Sequence, residues 1–152
     1  MKTLFTCLLS LTCLISLHAQ NQWWLDEPVR LLQTNLPMHM VPEYEPEELV
    51  EEVVKSGANT WLFNVGGIYS YYPTEFDFQT INPYMDPKRD FVGELVTLAR
   101  KKNIRVIGRF DFSRFPSAIA KKHPEWAFRR ADGETVAFND LVTACVNGDY
   151  YQ

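Results

Sequence analysis

The sequence predicts an α/β protein assembled from parallel βαβ units. Short apolar runs recur at Val29–Leu36, Ala58–Val65 and Ile104–Phe112, and the segments between them repeat apolar residues at helical spacing. Those segments open on proline and acidic residues and close on glycine or on basic residues and asparagine, the punctuation of a helix. Strands alternating with helices pack as right-handed crossovers in one parallel sheet. An open doubly wound sheet and a (β/α)8 barrel both satisfy that order.

The first strand, Val29–Leu36, is ended by Pro37. The first helix begins at Pro46, whose fixed φ suits a first turn, with Glu47 and Glu48 at the positive end of the dipole. Leu49, Val50, Val53 and Val54 form its apolar stripe, and Gly57 stops it. The second strand spans Ala58–Val65. A long loop follows, Gly66–Met85, holding Tyr69, Tyr71, Tyr72, Phe76, Phe78 and Tyr84. Asp86 and Pro87 then start a second helix with a stripe of Phe91, Val92, Leu95, Val96 and Ala99. Arg100, Lys101 and Lys102 suit its negative end, and Asn103 closes it. Ile104–Phe112 is the third strand and Ser117–Lys122 a short third helix. Glu125–Phe138 reads as a hairpin turning at Asp132-Gly133.

Composition narrows the function classes. The chain of 152 residues is 46% hydrophobic, 14% aromatic and 22% charged, with a net charge of −4, an ordinary globular balance. No basic stripe is available to neutralise phosphates, which excludes a nucleic-acid partner. Met1–Gln20 has the layout of a secretory signal peptide: Lys2, an apolar run from Leu4 to Leu17, and Ala19 before the cut. The run is about 14 residues where a membrane span needs roughly 20. Residues 1–19 are therefore read as a signal, 20–28 as a lead-in and 29–152 as the folded portion, exported to a secreted or periplasmic location and without a membrane span once cleaved. Cleavage removes Cys7 and Cys13 and leaves Cys145 as the single cysteine, so no internal disulfide forms and Cys145 is read as a buried small hydrophobe. Neither a P-loop nor a GxGxxG fingerprint is present, and no metal-ligand spacing or cofactor motif was found.

In both candidate folds ligands bind at the carboxyl ends of the strands, and strand residues two apart share a face. Asn35 with Gln33, Asn64 with Leu62, and Asp111 with Arg109 then place polar side chains on one face at the ends of three successive strands. The competing reading of each is structural: an Arg109–Asp111 ion pair, or Asn64 capping a loop. Taken together they read as a binding site. Loops longer than about 12–15 residues are often functional, and aromatic rings with a polar handle stack on sugar faces. Tyr71, Tyr72 and Trp126 are the aromatic contact candidates.

Three further segments, Gly67–Thr74, Arg109–Ser113 and His123–Trp126 followed by Ala131-Asp132-Gly133, resemble the amino-terminal part of the hypothetical glycosyl hydrolases, barrel proteins of the α-amylase and α-L-fucosidase type. The resemblance runs from about Val29 onward. It implies the first three βα units of a (β/α)8 barrel plus a hairpin, an exported carbohydrate-active role, and a sugar site at the strand ends. It also implies a catalytic carboxylate at the end of a fourth strand, which this chain does not reach. Fucosidase-like relatives often carry histidines where this chain has Asn64-Val65-Gly66-Gly67, which weighs against a fucose-specific site. Glycoside hydrolysis uses two carboxyl groups, about 5–5.5 Å apart for retention and roughly 6.5–9.5 Å for inversion. Only Asp111 stands at a strand end, so no catalytic residue is assigned and Arg109 and Asp111 are read as binding residues. The expectation is a fragment inactive alone, whose open edge favours association with the rest of the barrel or with itself. The alternatives are a non-catalytic carbohydrate-binding module using Tyr71, Tyr72 and Trp126, and a complete flavodoxin-like ligand-binding domain.

Overall fold

The structure is a computed structural model that describes Leu25 and residues 27–151; the signal-peptide assignment at 1–19 lies outside the described residues. Three parallel strands, β1 (Leu31–Thr34), β2 (Thr60–Gly67) and β3 (Arg105–Asp111), form a sheet in the order β1-β2-β3. Helices α1 (Pro46–Lys55) and α2 (Phe91–Lys101) make the two crossovers. The expected parallel βαβ units are present. A flavodoxin-like sheet carries its first strand between the second and third; here β2 holds that place, which overturns the flavodoxin-like alternative.

Strand alternation decides where the core lies. Trp61, Phe63 and Val65 project from one face of β2 and are buried with Val50 and Val53 of α1 and Phe91, Leu95 and Ala99 of α2. Both helices therefore cover the same side of the sheet. Each large side chain fully withdrawn from water contributes about 1.5–3 kcal/mol, so this face dominates stability. Trp61 also satisfies its indole N–H, donating to Thr34 Oγ1 at 2.8 Å. The other sheet face holds Leu31, Gln33, Ile107 and Arg109, all exposed.

Several boundaries differ from the sequence reading. Helix α2 starts at Asp90, whose carboxylate accepts from the Gly93 amide at 2.8 Å; Asp86 caps only a turn, accepting from the Lys88 amide. Val54, placed in the apolar stripe of α1, is 38% exposed. Between β1 and α1 a 3-10 helix at Met38–Glu43 buries Val41. The long loop is not structureless: Ser70 and Ile81 form a bridge, clasped by Ser70 N to Thr80 O and Asn82 N to Ser70 O, each 2.9 Å. Cys145 is half-buried rather than buried.

Beyond β3 the chain builds a second, antiparallel sheet. Strands β4 (Arg114–Pro116), β5 (Ala137–Phe138) and β6 (Leu141–Thr143) pair in the order β4-β6-β5, with α3 (Ser117–Lys122) beside them. Its small core is Phe115, Ile119, Ala127, Val142 and Ala144. The anticipated hairpin is reduced to an Arg129–Thr135 bridge around Gly133, which takes the positive φ of 87° that its turn requires. Pro124–Trp126 is a 3-10 turn. No helix among the described residues is long and apolar enough to cross a membrane.

Candidate functional site

The parallel register brings three of the singled-out residues into one row. Thr34 pairs with Phe63 and Asn64 with Arg109, so Asn35, Asn64 and Arg109 stand side by side across the carboxyl ends of β1, β2 and β3. Arg109 Nη1 donates to Asn35 Oδ1 at 3.5 Å, reaching over the intervening strand, a span of about 10 Å between outer strands. Since guanidinium only donates, it is the Asn35 carbonyl oxygen that faces it.

Past this row the β2–β3 register slips between Asn64 and Gly66, and Gly67 then faces Asp111. Gly67 has φ of 109°, and a Cβ there would overlap the Asp111 backbone. Only glycine lets the two strand ends approach this closely. Its carbonyl accepts from Gln79 Nε2 at 2.7 Å, tying the long loop to the strand end.

Asp111 does not form the ion pair with Arg109 that was the structural alternative, since no such contact lies within bridging distance among the described residues. Its Oδ1 accepts instead from the Ser113 hydroxyl at 2.6 Å and the Ser113 amide at 3.0 Å. The Ser113 hydroxyl is the main cause holding this carboxyl below its ordinary range, against partial burial and with help from the Ser113 amide and the fields of Arg109 and Arg114. A carboxylate kept ionised in this way suits accepting from substrate hydroxyls better than giving up a proton.

The aromatic candidates divide. Tyr71, expected to contact ligand, is buried, and its hydroxyl donates to Leu36 O at 2.7 Å. Burial pushes its pKa up to about 12, so it belongs to the main core. Trp126, likewise expected on a contact surface, is packed into the second sheet region. His123 stacks on it with ring centres 3.7 Å apart, and Phe78, Phe115 and Tyr150 pack around it. Its indole supplies cohesion because that small core has few other large apolar groups. Tyr72 remains half-buried over Gly66 beside Phe110, at the strand ends. The structure thus sets Asn35, Asn64 and Arg109 in one row with Asp111 further along β3, holds Tyr72 against Gly66 and Phe110, buries Tyr71 in the main core and leaves Trp126 half-buried among other rings.

Sequence reasoning passes over two neighbours of this site. Ser113 is identifiable by its spacing, since an Asp two residues before a Ser is an Asx-turn pattern. Tyr150 has no local signal: it reaches the vicinity of Asp111 by the return of the 3-10 turn Asp149–Tyr151, which Tyr151 anchors by donating to Phe112 O at 2.8 Å. A groove of about 660 Å³ lies among Glu45, Pro46, Arg89 and Glu94 in the helix layer. Arg89 is committed there to Glu94 at 2.7 Å, and none of the strand-end residues lines it.

The fold is a mixed α/β one that resembles glycoside hydrolase domains. The chain belongs to the family described as Hypothetical glycosyl hydrolase 6, whose match covers residues 45–152. Among solved structures, α-L-fucosidase isoenzyme 2 from Paenibacillus thiaminolyticus is similar in fold, with a TM-score of 0.60 at 16% identity over 82% of this chain. The chain spans 20% of that fucosidase's length. A noncanonic maltogenic α-amylase, AmyB from Thermotoga neapolitana, aligns with a TM-score of 0.49 at 16% identity, over 80% of this chain and 32% of its own. No curated protein matches the chain.

Proposed function

We propose that residues 29–152 form the first three βα units of a (β/α)8 glycosidase-like barrel and carry one side of a carbohydrate-binding cleft. The observation that supports this best is the reach of Arg109 to Asn35 across Asn64, which joins the ends of three successive strands into one polar row. Sugars present neighbouring hydroxyls that both donate and accept. Amides from Asn35 and Asn64 serve both needs, Arg109 donates, and Asp111 accepts. Tyr72 adds a ring edge at the same end. The signal-peptide layout read in residues 1–19 of the sequence supports a secreted or periplasmic setting.

Asp111 is the single carboxylate in this group, and hydrolysis calls for two. The chain on its own is therefore a binding, not a hydrolysing, unit. Calorimetric titration of the full chain with a panel of oligosaccharides tests the reading. Saturable binding should fall at least tenfold in Asn64→Ala and in Asp111→Ala. Binding unaffected by either change refutes the site, and hydrolysis of aryl glycosides that is abolished in Asp111→Asn refutes the inactivity.

A further inference from the structure

Arg109 differs from the other arginines of the parallel-sheet region that meet a carboxylate. Arg89 is held by Glu94 through Nε and Nη2, at 2.7–3.2 Å, and Arg105 reaches Glu27 at 2.6 Å. Arg109 meets no carboxylate among the described residues. Among the described residues its side chain donates in a 3.5 Å contact to the Asn35 amide oxygen, at the outer limit of a hydrogen bond. The guanidinium has five N–H donors and is exposed, so it can present donors to a ligand. The neighbouring Asp111 feels the field of Arg109 but makes no ion pair with it among the described residues, its Oδ1 being turned to the amide and hydroxyl of Ser113. Asn64 stands next in the row, paired in register with Arg109. The row of Asn35, Asn64 and Arg109 thus presents an exposed guanidinium that no carboxylate among the described residues pairs with, on a chain whose net charge is −4.

From this exposed guanidinium we infer that the site takes a sugar bearing an oxyanion, a uronic carboxylate or a sulfate ester, with Arg109 as the residue that selects it. This rests on the strand-end binding site proposed above and names its substrate class. The planar guanidinium fork matches two oxygens of a carboxylate or sulfate, whereas an ammonium offers only a point charge. Asn35 supports this geometry by steadying the guanidinium from one side and leaving the opposite edge open. A neutral sugar satisfies the same donors with hydroxyl oxygens, without the charge.

The experiment is calorimetry of the full chain with three probes: an oligogalacturonate, a sulfated galacto-oligosaccharide and the corresponding neutral galacto-oligosaccharide. One anionic probe should bind at least tenfold tighter than the neutral one, equivalent to about 1.4 kcal/mol, and lose that margin at high salt. Arg109→Gln should erase the difference between the anionic and neutral probes, lowering the affinity for the anionic probe more than that for the neutral one, and Arg109→Lys should restore only part of it. Circular dichroism checks that each variant is folded. Which anionic probe carries the margin identifies the oxyanion. Equal binding of neutral and anionic probes overturns the inference and leaves the binding site standing. A margin that survives Arg109→Gln overturns Arg109 as its source. A folded chain that binds none of the probes overturns both the inference and the site.

Discussion

The parallel β1-β2-β3 sheet and the antiparallel β4-β6-β5 sheet are built on different economies. The parallel sheet buries Trp61, Phe63, Phe91 and Leu95 completely against two helices and leaves its opposite face open. The antiparallel sheet has strands of only 2 to 3 residues. It is held by Phe115 and by a run of ring contacts through Trp126, Tyr150 and Phe78. In the second region Phe78, Trp126 and Tyr150 pack half-buried against a small core in which Phe115 is the one ring, so Trp126 is held by packing there.

The comparison can be broken hardest at Trp61. Trp61→Ala removes the central buried ring and strands Thr34, and should cost about 4 kcal/mol, read as a fall in urea midpoint with loss of both sheets. Phe115→Ala should cost about 3 kcal/mol but act regionally. Amide exchange should then rise across 114–146 while β1, β2 and β3 stay protected; simultaneous loss everywhere would show that the two regions are one cooperative unit.

Smaller changes sharpen the contrast. Tyr71→Phe leaves the Leu36 carbonyl without its donor and should cost about 1–2 kcal/mol. Tyr71 and Tyr150 are both pushed up to about 12 by burial. Each folded ring keeps its proton longer than the unfolded one, whose pKa is about 10. That stabilisation is complete below pH about 10 and lost as pH climbs through 12. Tyr71→Phe and Tyr150→Phe should each flatten alkaline denaturation by a similar step, measured by denaturant midpoint against pH. Asp111→Asn should cost at most about 1 kcal/mol near neutrality, since the amide oxygen still accepts from Ser113. The wild-type carboxyl, held below its ordinary range, stabilises the fold above the unfolded pKa of about 3.9 and loses that contribution as pH falls through its folded value. The variant should lack this acid dependence. Phe76→Ala, at a ring 67% exposed, should stay within about 0.5 kcal/mol of wild type.

Legibility in the sequence followed the range of the forces involved. The helix starting at Pro46 and the three parallel strands were readable because proline, terminal charge and apolar period act within a turn or two. The facing of Asn35, Asn64 and Arg109 was readable too, since alternation along each strand needs no knowledge of its neighbours. Asp86 misled because two Asp residues precede the second helix, and only the carboxylate of Asp90 reaches the Gly93 amide. Tyr71 misled because its exposure depends on Leu36, 35 residues away.

By itself the sequence determined the alternation of strands and helices, the polar ends of the strands, and the likeness to a glycosyl hydrolase family. These are properties of local periodicity and residue chemistry. Only the tertiary structure decided the order β1-β2-β3, the slip that makes Gly67 obligatory, the allegiance of Asp111 to Ser113, and the division of the aromatics between core and site. Each of these depends on which surfaces meet after the chain has closed on itself, where burial and strand register, rather than residue type, assign a side chain its work.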